Sequence, residues 1–276
     1  DKHVTGVQTC ALPIFLFWHG ILCHTDSKNQ SQIASHAEWE MLRRCAMGSF
    51  RDLLVEISKD PAMVYFLDNC LSHKDAINEN YGRELLELFS LGVGMDGEFN
   101  YTEDDVKECS RAFTGWTLAN GMPPQPYGRY PSTFVFNPED HDGGEKTFLG
   151  HTGNFNGEDI IDILCRQPAT ARFISRHIYD FFVADEAQVP TWMDTLPRDP
   201  ETIKMLEDEY FSSDYNIRSM LRVLFNSDAF KKARFARIKG PIETVIGTLR
   251  LAGDWTTPKP GFEAIFEEMK QMGQEI

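Results

Sequence analysis

Positive charge is scarce in this sequence: 27 Lys and Arg face 42 Asp and Glu across 276 residues, a net charge of −15. A phosphate footprint needs clustered cations, so nucleic acid is not an expected partner, and neither is an anionic lipid surface. Long apolar runs are missing too. No stretch reaches the ~18 residues that a membrane-spanning helix requires, so no transmembrane segment is expected. The six cysteines (Cys10, Cys23, Cys45, Cys70, Cys109 and Cys165) include no CxxC pair. That spacing argues against a zinc ribbon and leaves either buried thiols or a disulfide or two. GxSxG, GxGxxG, Walker and HExxH patterns are absent, which weighs against serine-hydrolase, nucleotide-binding and zincin chemistry. No fixed period recurs, so a solenoid is not expected.

What is present suits a folded chain. Apolar residues make up 42% and charged residues 25%, enough to bury a core without disulfides or metal. The opening Asp1–Ile14, DKHVTGVQTCALPI, looks like a translated sequencing-adaptor string of the kind found in metagenomic assemblies, and is set aside as non-native. From Phe15 the sequence enters an apolar helical run with no N-cap, and Phe262–Ile276 ends in another without a terminator. The expected organisation is a single helical domain over 15–276, cut from a longer protein.

Helix punctuation is frequent. Asn29–Met47 has helical periodicity. Ser49 with Asp52 reads as a capping box, Asp60-Pro61 as a cap and first turn, and Thr102 with Asp105 as a second box. Asn78 opens a helix that Gly92 closes, and Gln167-Pro168, Asp199-Pro200, Asn216 and Gly240-Pro241 open four more. Residues 117–153 differ, being rich in Gly, Pro and aromatics. Their short runs Phe134–Phe136 and Lys146–Leu149 suggest one small hairpin. The fold class is therefore all-α, with a β-hairpin insertion around 117–153.

The densest polar constellation is Asn78–Leu88, NENYGRELLEL. At helical pitch, Tyr81, Leu85, Leu88, Phe89 and Gly92 form an apolar stripe, and Asn80, Glu84 and Glu87 line up beside it. Carboxylates three residues apart can share a proton, a metal or an arginine. A solvated face of Glu–Arg pairs, with Arg83 to Glu79, is the alternative. A second constellation is Glu139-Asp140-His141-Asp142-Gly143-Gly144, followed by Lys146. It leaves room for a divalent cation, but Gly144 falls where an EF-hand needs its third ligand, so a polar turn competes. His19 and His24 lie about 140° apart on a helix and do not chelate from one face; each reads as a capped or core histidine. Arg111, Thr114, Gly115 and Trp116 form a helix end that could meet the Glu84 line.

Taken together, these stretches resemble a bacterial family, the domain of unknown function numbered eighteen hundred (DUF1800). The matching segments are Phe17–His19, Gly48–Leu54, Asp60–Asp68, Asn78–Val93, Tyr101–Thr117, Phe134–Gly150, Gln167–Val183 and Ile238–Glu243. Asn80, Arg83, Glu84, Glu87, Arg111, Gly115, Trp116, His141, Asp142, Lys146 and Gly150 fall on its signature positions. The resemblance implies a helical, exported protein, periplasmic or secreted, often encoded beside a sulfatase-like partner. One departure is Ile21, where the family often carries a second histidine.

Three functions follow as expectations. The first is a hydrolase, in its narrower form a glycoside hydrolase, acting on a polysaccharide or other extracellular substrate. Glu84, Glu87, Asp142 and His141 would be catalytic, and Asn80, Arg83, Arg111, Trp116 and Lys146 would bind substrate. No cofactor is required for that chemistry. The second is a metal-dependent enzyme using His141 and Asp142. The third is a non-catalytic surface or assembly module, in which the same groups form a buried network.

Overall fold

The computed structural model describes residues 6–120, 132–253, 260–261 and 263–273. The helices are α1 (Gly6–His19), α2 (Asp26–Asn29), α3 (Gln32–Cys45), α4 (Phe50–Ser58), α5 (Pro61–Phe66), α6 (Asn80–Glu84) and α7 (Glu103–Ala112). After them come α8 (Gly157–Cys165), α9 (Pro168–Phe182), α10 (Pro200–Ser212), α11 (Ile217–Asn226), α12 (Asp228–Lys232), α13 (Pro241–Ala252) and α14 (Glu263–Gln271). The protein is thus mostly helical, as its punctuation predicts. Among the described residues no helix is long and apolar enough to cross a membrane.

Local chemistry explains most helix starts. Asp60 accepts from the Ala62 and Met63 amides at 2.9 and 3.4 Å, and Thr102 and Asp105 form the reciprocal box. Both satisfy N–H groups that a first turn leaves unpaired. Ser49 differs from expectation, because its side chain makes no cap bond. The Phe50 amide instead donates to Tyr215 O at 2.9 Å, and the Ile217 amide to Gly48 O at 3.0 Å. A backbone bridge between the starts of α4 and α11 does the work assigned to the Ser49 and Asp52 side chains.

The core runs from Trp18, stacked on Phe50 at 5.6 Å, through Tyr81, Phe113 and Phe148 to Phe173 and Tyr210. α3 packs on α1 and α4, and α9 on α10. α1 continues through the opening segment set aside above, and its Ile14 is buried in this core. Cys109 and Cys165 are buried, and Cys23, Cys45, Cys70, Cys109 and Cys165 are all unpaired thiols.

Among the described residues three small antiparallel strand pairs decorate the bundle: β1 (Gly94–Met95) with β2 (Glu98–Phe99), β3 (Trp116–Leu118) with β4 (Phe134–Phe136), and β5 (Lys146–Phe148) with β6 (His151–Gly153). The two apolar runs expected to form one hairpin therefore do not pair with each other. Phe134–Phe136 pairs back to Trp116–Leu118, and Lys146–Phe148 pairs forward across Leu149-Gly150. β5 packs on α7, and its Phe148 is fully buried.

α6 and α7 approach closely at Gly82. A Cβ there would run into Ser110 Oγ and come within 3.1 Å of Val106 O and the Ser110 amide. Because two of those contacts are backbone, Gly82→Ala should cost about 1–3 kcal/mol by overpacking. The denaturant midpoint reads this directly. An unchanged midpoint would mean that the helices part freely.

Candidate functional site

The helix begun by α6 widens into a π-helical turn over Leu85–Ser90. The Leu91 amide bonds to Leu86 O at 2.8 Å, five residues back, and Ser90 Oγ donates to Leu85 O at 2.6 Å. Such single-turn bulges recur at functional sites. The extra residue per turn also rotates the apolar stripe. Leu86 is fully buried and Leu88 is 45% exposed, so the expected place of Leu88 in the core falls to Leu86 instead.

Glu84 and Glu87 are both half-buried on this turn. Burial first, then the Glu87 charge, pushes the Glu84 carboxyl above its ordinary range, against a smaller opposing pull from Arg83. Arg83 is engaged elsewhere, donating to both Glu103 oxygens at 2.9 and 2.6 Å with Glu79 3.8 Å away. Tyr101 donates its hydroxyl to Glu87 at 3.3 Å, and its own pKa is pushed up to about 12 by burial and that carboxylate. Asn80 ties the start of α6 to Leu67 O at 3.2 Å. The result is a carboxyl with raised proton affinity beside a carboxylate, the pairing from which an acid and a base can be made.

The Gly-flanked turn forms a separate network. Arg111 donates to Asp142 from Nε at 2.7 Å and Nη2 at 3.2 Å, and to Glu108 at 2.7 Å. The Arg111 guanidinium holds the Asp142 carboxyl below the usual carboxylate range. Thr114 Oγ1 accepts from the Asp142 amide at 2.8 Å, and His141 Nδ1 meets Thr114 O at 3.0 Å. Lys146, 1% exposed, donates to Asp142 O at 2.5 Å and Gly144 O at 3.0 Å. Burial lowers the Lys146 pKa despite the nearby Asp142 charge. His141 stacks edge-on against Phe136 at 5.4 Å.

These two networks share α7 as a spine but exchange no hydrogen bond or ion pair among the described residues. Asp142 is committed to Arg111, and so is not a free partner for Glu84. Among the described residues no three His, Cys, Asp or Glu side chains stand where one ion could take them, which leaves His141 and Asp142 without a third ligand. Trp116 packs against Phe113 and Phe134 at 5.0 and 5.2 Å. It edges a cleft of about 440 Å³ with Phe134, Phe136, Lys59, Glu158 and Asp162.

A cleft of about 800 Å³, mostly apolar in its lining but edged by several ionisable side chains, has no signal in the sequence. His19, Cys23 and His24 line it from the end of α1 and the loop beyond, His177 and Asp180 from α9, and Arg237 from the approach to α13. Three of the stretches that carry the family resemblance, 17–19, 167–183 and 238–243, meet there. His24, read as a satisfied histidine, is one: Nδ1 meets Glu38 at 2.8 Å and Nε2 meets Ser35 Oγ at 2.9 Å. Behind it, burial and the Glu38 charge push the Asp60 carboxyl well above its usual range. Ser35 and Glu38, one turn apart on α3, hold the His24 ring at this edge of the cleft. Neither this cleft nor the Trp116 cleft is lined by Glu84, Glu87, His141 or Asp142.

No curated protein and no solved structure matches the chain. The family described as "Protein of unknown function (DUF1800)" matches residues 11–276, nearly the whole length. Both the motif order along the sequence and this match place the chain in the DUF1800 family.

Proposed function

We propose that this protein is an exported hydrolase, periplasmic or secreted, that acts on a polysaccharide or comparable extracellular polymer through Glu84 and Glu87. The observation that carries the reading is the raised proton affinity of Glu84 beside Glu87. Glu84 in its acid form protonates the leaving oxygen. Glu87, held by the Tyr101 hydroxyl, serves as base or nucleophile, the division of labour of two-carboxylate glycosidases. The alkaline limb of the activity profile then belongs to Glu84 and lies above that of an ordinary glutamate. Asp142 and Lys146 act on this site through α7, by fixing Arg111 and the turn, and do not touch substrate. Phe134 and Phe136, at a cleft that neither Glu84 nor Glu87 lines, offer apolar surface to a part of the polymer away from the cleaved bond.

The closed Arg111–Asp142–Lys146 network favours a second reading, a non-catalytic assembly module with the sulfatase-like protein that the family resemblance implies as its partner. Release of reducing ends from a panel of polysaccharides separates the two. Glu84→Gln should lower release about a hundredfold while leaving the unfolding free energy within about 0.5 kcal/mol of the parent. Undiminished release by the variant, or none by the parent on any polymer, would support the assembly module.

A further inference from the structure

The ends of α9, α11 and α12, together with Pro13 and Ile14 of α1 from the opening segment set aside above, enclose a second kind of cleft, of about 710 Å³, whose walls are aromatic and aliphatic. Phe182 meets Phe225 at 5.4 Å, and Phe225 meets Phe230 at 4.8 Å. Phe235 stands beside them 89% exposed, with a left-handed φ of 63°. A bulky side chain held in that conformation is strained, and such strain concentrates at ligand clamps.

The rim has the opposite character to the rest of the molecule. Arg218, Arg222 and Lys239 line the cleft, are exposed, and form no ion pair among the described residues. Arg218 and Arg222 stand one turn apart on α11, so both reach the same edge. Arg237 is paired with Glu243 at 2.8 Å and lies over the Phe181 ring at 4.8 Å. Three uncommitted cations around an apolar cleft, in a chain of net charge −15, are complementary to one ligand chemistry.

We propose that this cleft binds a single-chain anionic amphiphile, a free long-chain fatty acid, with its alkyl chain along the wall that Phe182, Phe225 and Phe230 form and its carboxylate at Arg218, Arg222 and Lys239. An anionic bilayer is the wrong source, because the acidic remainder of the surface is repelled by it. A second copy of the chain brings the same net negative charge and is disfavoured for the same reason. The proposal is independent of the hydrolase reading, and its test uses no turnover.

Calorimetric titration of the full chain with dodecanoate below its micellar concentration should show one saturable site. Each methylene removed, down to octanoate, should weaken binding by up to about fourfold. Dodecyltrimethylammonium, with the same chain and the opposite charge, should bind at least tenfold more weakly. Arg218→Glu combined with Arg222→Glu should cost dodecanoate at least tenfold, and the milder Arg218→Gln/Arg222→Gln pair should lose part of that. Equal affinity for the cationic amphiphile, no dependence on chain length, or undiminished binding by both variant pairs would each overturn the proposal. So would an absence of dodecanoate binding, or binding to phosphatidylglycerol vesicles but not to the monomer.

Discussion

Gly115→Ala should cost about 2–5 kcal/mol of stability, while Gly143→Ala, 28 positions later in the same network, should cost almost nothing. Gly115 has φ +78°, a conformation that costs a residue with a Cβ about 1–2 kcal/mol. That Cβ would also stand 2.5 Å from Asn137 O and 3.2 Å from the His141 amide and Cβ. Backbone cannot swing aside as a side-chain tip can, so a further 1–3 kcal/mol of overpacking follows. The displaced segment is the turn after β4 that presents His141 and Asp142, and its Asn137 amide donates to Gly115 O at 2.8 Å. Moving it would break the Thr114–Asp142 and His141–Thr114 bonds and pull Asp142 from Arg111. Gly143 meets open space within 4 Å, which makes it the internal control. Denaturant midpoints with unchanged slopes give both numbers. Equal midpoints for the two variants would show that the turn is not clamped to the end of α7.

That clamp was half visible in the sequence. The residue types around Arg111, Gly115, His141, Asp142 and Lys146 pointed to a polar cluster, because such groups are rarely brought together unless they satisfy one another. What the sequence could not reveal was the partner of each. Asp142 pairs with an arginine 31 positions away, and nothing in local spacing selects Arg111 over Glu84's own line. The caps at Asp60 and Thr102 were legible because their partners lie within three residues. Ser49 was misread because its helix is held by a strand-like bridge to Tyr215 and Ile217, a contact with no local signature. The π-helical turn escaped for a related reason. Periodicity assumes a constant pitch, so one extra residue put Leu88 in place of Leu86. Hairpin pairing failed the same way, since Phe134–Phe136 alternates equally well for any partner strand.

The cleft beside His177 shows the limit most clearly, and that half-buried histidine gives the second large effect. His177 sits between Phe173 at 4.4 Å and Trp192 at 5.0 Å, and its Nε2 is enclosed without a hydrogen-bond partner. Burial first, then the neighbouring Arg176 charge, lowers its pKa to about 3. In the unfolded chain the same imidazole titrates near its ordinary value of about 6.5. Between those two values the unfolded state holds a proton that the folded state refuses. The stabilising effect is therefore fully present above the unfolded value and is lost as pH falls toward the folded one, at about 1.4 kcal/mol per pH unit. Because the His177 ring is only half-buried and lines the cleft, solvent screening keeps the total loss to at most about 4 kcal/mol. His177→Phe keeps an aromatic ring against Trp192 while removing both the titration and the unpartnered nitrogen. Its stability, followed by urea unfolding from pH 6.5 down to pH 4, should fall less steeply than the parent's by close to one proton's worth. The carboxylates still contribute their own acid dependence in both proteins, so the difference between the two slopes is the quantity to read. Parallel slopes would mean that His177 is already protonated in the fold, paired through its cleft edge with Asp180 or with water.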